Sequence, residues 1–370
     1  MRYKLIVTLI LYTLFPVHAQ LKSLKLVDTC VYKAECLQNF LNYKIHLVGE
    51  IHYKPVNQEI RFLYLRLLNS LGIYPKYIVR EEGEAASFIR NLYFETGNEF
   101  YLNQVSVMNP YRAEDIELKK YYLSLPEEKR FQFKGMDVEY SFYKPHFVIA
   151  YIFRKHRASL IDSLNFFDKE QLCALTESIL EKQDPYTWDK KLVRKDVDSL
   201  IGWFRCEDSV LLKNTLGQED YSLIKRILRG YVLGKGDLRL ANSRSGEYNI
   251  EREKFLCDNL YQLYLRDTSS YYYGQFGMAH VILSAEDTIK RALNNPSFVS
   301  QLYSSAFYSS TNGNIQSTII YYRKYQRIYV FLKKRKKELE QKYKLLSEGQ
   351  SVLVPVKRKE SEYMLLLFKQ

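Results

Sequence analysis

The sequence has little of what marks the simplest protein classes. Its 370 residues include only 5 cysteines, 9 prolines, 15 glycines and 2 tryptophans. So little Pro and Gly excludes collagen-like and Pro-rich low-complexity chains. The cysteines (Cys30, Cys36, Cys173, Cys206 and Cys257) form no Cys-x-x-Cys pair, so metal-site and haem-attachment spacings are missing. There is no Gly-x-Ser-x-Gly elbow, phosphate-cradling P-loop or glycine-rich dinucleotide loop. No repeat of a length that builds solenoids is visible. Past the N-terminus, no run is apolar for long enough to cross a bilayer. Histidine is scarce, with 6 in all, so each one carries weight.

What is present describes a globular chain. Hydrophobic residues make up 46% and charged residues 26%, which excludes wholesale disorder. The length suits one large domain or a domain with an appendage. Aromatics reach 15%, and 33 of them are Tyr, a ring that packs while its hydroxyl stays bonded or wet. The first residues read as an export signal. Arg2 and Lys4 precede the apolar stretch Leu5–Val17, and Val17-His18-Ala19 offers a cleavage site before Gln20. The expected location is therefore outside the cytoplasm, periplasmic or secreted. Export permits disulfides, with Cys30–Cys36 and Cys173–Cys206 as candidate pairs and an odd thiol left over. The net charge of +13 is concentrated in Lys324–Lys337 and Lys357–Lys359. Glu338 and Glu340 interleave with the first run, which reads as a solvated helix face within Phe331–Leu346. That charge allows weak association with anionic envelope surfaces. No motif supports nucleic-acid binding.

Strand and helix patterns alternate in the first part of the chain. Tyr43–Val48 reads as a buried strand ending in Gly49-Glu50-Ile51-His52. Apolar residues at helical spacing follow over Asn57–Leu71. Tyr77–Val79 is a second strand, ending in Arg80-Glu81-Glu82-Gly83. A helix from Glu84 to Phe94 and a third strand, Phe131–Phe133, follow, the strand ending in Gly135-Met136-Asp137. This is the signature of a parallel α/β sheet. Residues Pro145–Arg266 are almost all helical in pattern. Tyr271–Phe276 returns to strand and ends in Gly277-Met278-Ala279-His280. Ala285–Leu293 reads as a helix, Phe298–Ser304, Ser317–Tyr321, Val352–Val356 and Tyr363–Phe368 as strands, and Asn312-Gly313 as a turn. The expected fold is α/β, a mostly parallel central sheet with flanking helices and a large helical insertion. The expected segments are a signal (1–19), an N-terminal βα half (20–144), the insertion or lid (145–266), and a C-terminal half of the sheet with a basic helix and terminal strands (267–370).

Two histidines stand apart from the others. His46 lies inside a strand, His156 in the basic run Arg154-Lys155-His156-Arg157, and His146 at a helix start, so these read as packed, solvated and structural respectively. His52 and His280 each follow a strand in a Gly-x-x-His unit. A residue without Cβ lets the backbone turn sharply and lets a neighbour come close. Ligands of open α/β sheets bind beyond the carboxyl ends of the strands. Four such ends would deliver Glu50 with His52, Glu81 (or Glu82), Asp137 and His280. Two chemistries fit that set. One is general-base hydrolysis by a carboxylate-held imidazole. The other is a divalent metal bound by two His and a carboxylate.

These motifs resemble the erythromycin-esterase-like superfamily, whose relatives include haem-binding iron-uptake lipoproteins and TraB/TIKI-type metalloproteases. Gly49–His52 resembles its opening motif and Glu81 its strand-end Glu. Ile89–Gly97 resembles its Asn-bearing helix, and Gly135–Asp137 its Gly-x-Asp. Arg252–Leu260 resembles its Arg…Asn-Leu helix, and Gly277–His280 its late His. Ile51-His52-Tyr53 departs from the Thr-His-Gly-like segment usual in the esterases, which argues against macrolide hydrolysis. The resemblance implies a hydrolase acting on an ester, lactone or amide, of a small molecule or a peptide. His52 would activate water with Glu81 as partner, and Glu50, Asp137 and His280 would complete the cluster. Arg252, Asn259 and Tyr53 are candidate substrate-binding residues. No cofactor is required in that reading. The alternatives it leaves are haem binding, with groups such as Tyr271, Tyr272 and Tyr273, and a metal-dependent peptidase with His52, His280 and Glu81 as ligands.

Overall fold

A computed structural model describes residues 42–52, 54, 56–106, 112–163, 190–205, 209–240, 246–281, 314–321, 351–358 and 361–368, with positions 337, 340, 341 and 344. Several expectations lie outside them. These are the export signal, Tyr53, every cysteine but Cys257, the helix 285–293, the strand 298–304, the turn at Asn312-Gly313 and most of the basic helix.

The elements in chain order are β1 (Ile45–Glu50), α1 (Val56–Ser70), β2 (Pro75–Gly83), α2 (Glu84–Thr96), α3 (Glu99–Ser106), α4 (Arg112–Ser124) and β3 (Gln132–Asp137). Then come α5 (Tyr143–Lys155), α6 (Arg157–Ser163), α7 (Lys190–Arg205), α8 (Ser209–Leu240), α9 (Gly246–Arg266) and β4 (Tyr271–Gly277). A short turn of helix, α10 (Met278–Val281), precedes β5 (Ile315–Tyr321), β6 (Ser351–Arg358) and β7 (Ser361–Phe368). The fold is α/β, a mostly parallel sheet with flanking helices and a large helical insertion, as the strand–helix alternation predicts.

The chain divides into two compact units. One is Met1–Ile78, Leu125–Phe131 and Leu263–Gln370; the other is Val79–Ser124 and Gln132–Gln262. In the first unit, neighbouring strands run β2-β4-β1-β5-β7-β6. β1 is parallel to both β4 and β5, and β5 is parallel to β7. β6 pairs antiparallel with β7. The first strand is buried along its whole length, as expected where helices cover both faces of a parallel sheet. Ile45, Val48, Tyr272, Tyr273 and Ile315 are buried with Ile60, Tyr64 and Leu68 of α1. Tyrosine does structural work here. Tyr64 stacks on Tyr273 and its hydroxyl bonds Thr318 Oγ1 at 2.8 Å. The Tyr273 hydroxyl donates to Arg61 O.

In the second unit β3 lies beside β2. One core cluster joins α2 (Ala85, Ile89), α5 (Val148, Ile149, Ile152, Phe153), α7 (Val197, Leu200) and α8 (Ile224, Ile227). The α2 helix ends where Gly97 adopts φ 75 and its N–H returns to Tyr93 O, a left-handed cap that a side chain would strain. Sequence reading missed α3 and α4.

Two expectations change. Arg80–Gly83 and Gly135–Asp137 are the last residues of β2 and β3 rather than turns after them. Charge did not end these strands because the charged side chains find partners. Buried Arg90 bonds both Glu82 and Asp115, and Arg80 lies within ion-pair reach of the same two acids. Burial alone would raise the Glu82 carboxyl, but Arg90, Arg80 and Ser87 together bring it down to about 2. His156, expected to be solvated, instead bonds Asp220 Oδ2 at 2.7 Å.

Candidate active site

In the first unit, the two Gly-x-x-His units pack into one another. β1 and β4 lie in register with Gly49 opposite Phe276 and Glu50 opposite Gly277. A Cβ at Gly277 would stand 2.6 Å from His52 Nε2 and 3.3 Å from His280 Cδ2. A Cβ at Gly49 would stand 3.1 Å from the backbone of Met278 and 3.3 Å from Val281. Thus the glycine of the first motif seats the helical turn carrying His280. The glycine of the second makes room for both imidazoles. His52 and His280, expected together, are brought together.

His52 is held by a carboxylate. Its Nδ1 lies 3.2 Å from Glu50 Oε1, with the imidazole 45% exposed and the carboxylate only 4% exposed. A buried carboxylate needs compensation. Arg61 Nη2 of α1 lies 3.5 Å from Glu50 Oε2. The Gln275 amide of β4 also donates to Oε2. The turn carrying the histidine is tied from α1, where Asn57 Nδ2 donates to Ile51 O at 2.8 Å. A carboxylate on Nδ1 favours the tautomer with the proton there and leaves the lone pair on Nε2. That is the arrangement of a general base facing partly into solvent.

Two other described histidines are enclosed in the core. His46 is fully buried and burial lowers it to about 3, so it stays neutral. His146 is buried in α5.

In the second unit, Arg252 of α9 gathers two expected acids. Its Nε donates to Asp137 Oδ1 at 2.8 Å, and its Nη2 donates to Asp137 Oδ2 and, at 3.0 Å, to Glu81 Oε1. Burial would lower this guanidinium, but Asp137 and Glu81 push it well above its ordinary range. The Arg252 guanidinium also lies over the ring of Tyr140, whose hydroxyl donates to Asp137 Oδ2 at 3.3 Å. Asn259 Nδ2 donates to Met136 O at 3.0 Å, bonding the backbone at the end of β3.

Sequence reading missed Gln275 and Arg61, although both have a partial signal. Gln275 is a polar residue among the aromatics and glycines of β4, and Arg61 interrupts an apolar helix face. Two residues past the end of β3, Glu139 is a further buried acid. Glu139 accepts the Ala85 N–H at the start of α2 at 2.7 Å, and burial pushes its carboxyl up to about 8.

Among the described residues, no three His, Cys, Asp or Glu side chains are grouped so as to hold a metal ion. Tyr272 and Tyr273 are buried, with their hydroxyls donating to backbone carbonyls of Leu263, Asp267 and Arg61, so neither phenol is placed as a haem ligand. Cys257 is a free thiol raised by burial, the opposite of an activated nucleophile. No described helix is long and apolar enough to cross a membrane.

No family model matches the sequence, and no curated protein matches it. A solved structure does share the fold. An erythromycin esterase variant, EreC in its open conformation, superposes with a TM-score of 0.51 at 11% identity, over 76% of this chain and 70% of that one. A Bacillus cereus protein gives 0.49 at 14% identity, over 77% and 67%. A succinoglycan biosynthesis protein gives 0.47 at 13% identity, over 78% and 68%. The likeness to EreC shows an erythromycin-esterase-like fold.

Proposed function

We propose that this protein is an exported hydrolase in which His52 activates water against an ester, lactone or amide. The observation that carries the reading is the Glu50–His52 pair seated, with His280, on Gly277. Neutral His52 takes a proton from water at Nε2, and the hydroxide oxygen bonds the substrate carbonyl carbon. Glu50 stabilises the imidazolium that forms. His280 is suited to donate a hydrogen bond to the carbonyl oxygen as negative charge builds there. The imidazolium then gives its proton to the leaving alkoxide or amine as the carbonyl carbon–leaving-group bond breaks. Export rests on the N-terminal charge and apolar pattern.

The test is a panel of chromogenic esters, lactones and amides, assayed with purified protein and with His52→Ala. The reading expects turnover of at least one class, reduced by roughly a hundredfold or more in the variant, with an unchanged melting temperature. Turnover that survives the substitution would refute it.

A further inference from the structure

The strongest relationship that the proposed hydrolysis does not use lies one step behind Glu50. Gln275 is buried in β4. Its Nε2 donates to Glu50 Oε2 and to Asn57 O, the latter at 3.0 Å. Both neighbours are pure acceptors, so the amide cannot be reversed without setting oxygen against oxygen. Among the described residues, its Oε1 has no hydrogen-bond partner. The side chain is thus held through its donor end, and that end grips the carboxylate. Asn57, whose carbonyl takes the second bond, also donates to Ile51 O, beside His52. Gln275 therefore braces both the carboxylate that holds His52 and the helix residue that holds the His52 turn.

We infer that Gln275 is a positioning residue, which through Glu50 fixes the orientation and tautomer of His52. A carboxylate with one oxygen gripped by an amide cannot rotate, so its other oxygen stays on His52 Nδ1. The proton is thereby kept on Nδ1 and the lone pair on Nε2. This rests on the hydrolase reading, in which Nε2 is the base.

The test uses the full chain with ¹⁵N-labelled histidine, read by NMR at a pH where His52 is neutral, in wild type, Gln275→Met and Glu50→Gln. Methionine keeps the length and packing of Gln275 and removes the donor. Wild type is expected to hold His52 mainly as the Nδ1–H tautomer. Gln275→Met is expected to give a mixture of tautomers. On any substrate found, it should also lower kcat by about tenfold with little change in KM, as loss of an orienting partner does. A buried amide with only a packing role would move neither. If Gln275→Met does not fold, Gln275→Leu replaces it, since it too fills the space without a donor and predicts the same mixing. A folded variant with the wild-type tautomer overturns the role of Gln275. If Glu50→Gln also leaves the tautomer unchanged, the Glu50–His52 pairing itself fails, and the hydrolase reading fails with it.

Discussion

The His52 imidazole occupies the space that a side chain at Gly277 would fill, its Nε2 only 2.6 Å from where a Cβ would stand. The two residues are more than two hundred positions apart, and they meet because Glu50 and Gly277 are register partners in adjacent parallel strands. Glycine at 277 is therefore a matter of access to space. No positive φ demands it, since the left-handed glycines of the described residues are Gly72, Gly97 and Gly217.

Gly277→Ala should displace the ring while leaving the strand intact. The expected outcome is a loss of turnover of about tenfold or more. The accompanying stability cost should be about 1–3 kcal/mol, the usual scale for an added methyl in a packed site. Parallel kinetics and urea denaturation would check both values.

Glu139 sets a pH dependence of stability in the second unit. Its carboxyl is buried, held to about 8 in the folded state against an ordinary value near 4.5. The groups around it are Lys144, which burial lowers, together with Glu82 and Glu84. The folded state binds a proton that the unfolded state has lost. The stability contribution is thus full below about pH 4.5, falls as pH rises, and is lost above about 8. Glu139→Gln should flatten that slope and gain over wild type by a few kcal/mol at alkaline pH. Denaturation midpoints at pH 5 and pH 9 would show it.

The Arg90 network should respond in the opposite way. Removing one partner of a buried ion pair strands the rest, so Arg90→Met should cost about 3–5 kcal/mol by chemical denaturation. Glu82 is depressed to about 2, so its contribution is present at neutral pH and lost as pH falls from about 4.5 toward 2.

Chelation offers a check on the chemistry. The proposed reaction runs on protein groups, so prolonged treatment with a strong chelator should leave turnover within about twofold, with elemental analysis run on the same sample. Activity abolished by the chelator and restored by a divalent ion would contradict the metal-free reaction and favour the metal-dependent alternative.

The sheet and the two motif histidines were legible because their signals are local. Short apolar strands alternate with helical spacing, and glycines fall at strand ends. What was not legible is pairing across distance. Nothing in one sequence says that Gln275 reaches Glu50, that Arg90 bonds Asp115, or that Arg252 gathers Asp137 and Glu81. The strand ends were misjudged for the same reason. Arg80 and Glu82 look like loop residues until their partners are known, and those partners lie elsewhere in the chain.

The most direct measurement of the central claim is the turnover of His52→Ala beside wild type on a substrate from the ester, lactone and amide panel, with melting temperatures recorded on the same preparations. The account predicts near-complete loss of kcat at an unchanged melting temperature. A folded variant that turns over substrate at the wild-type rate would contradict it.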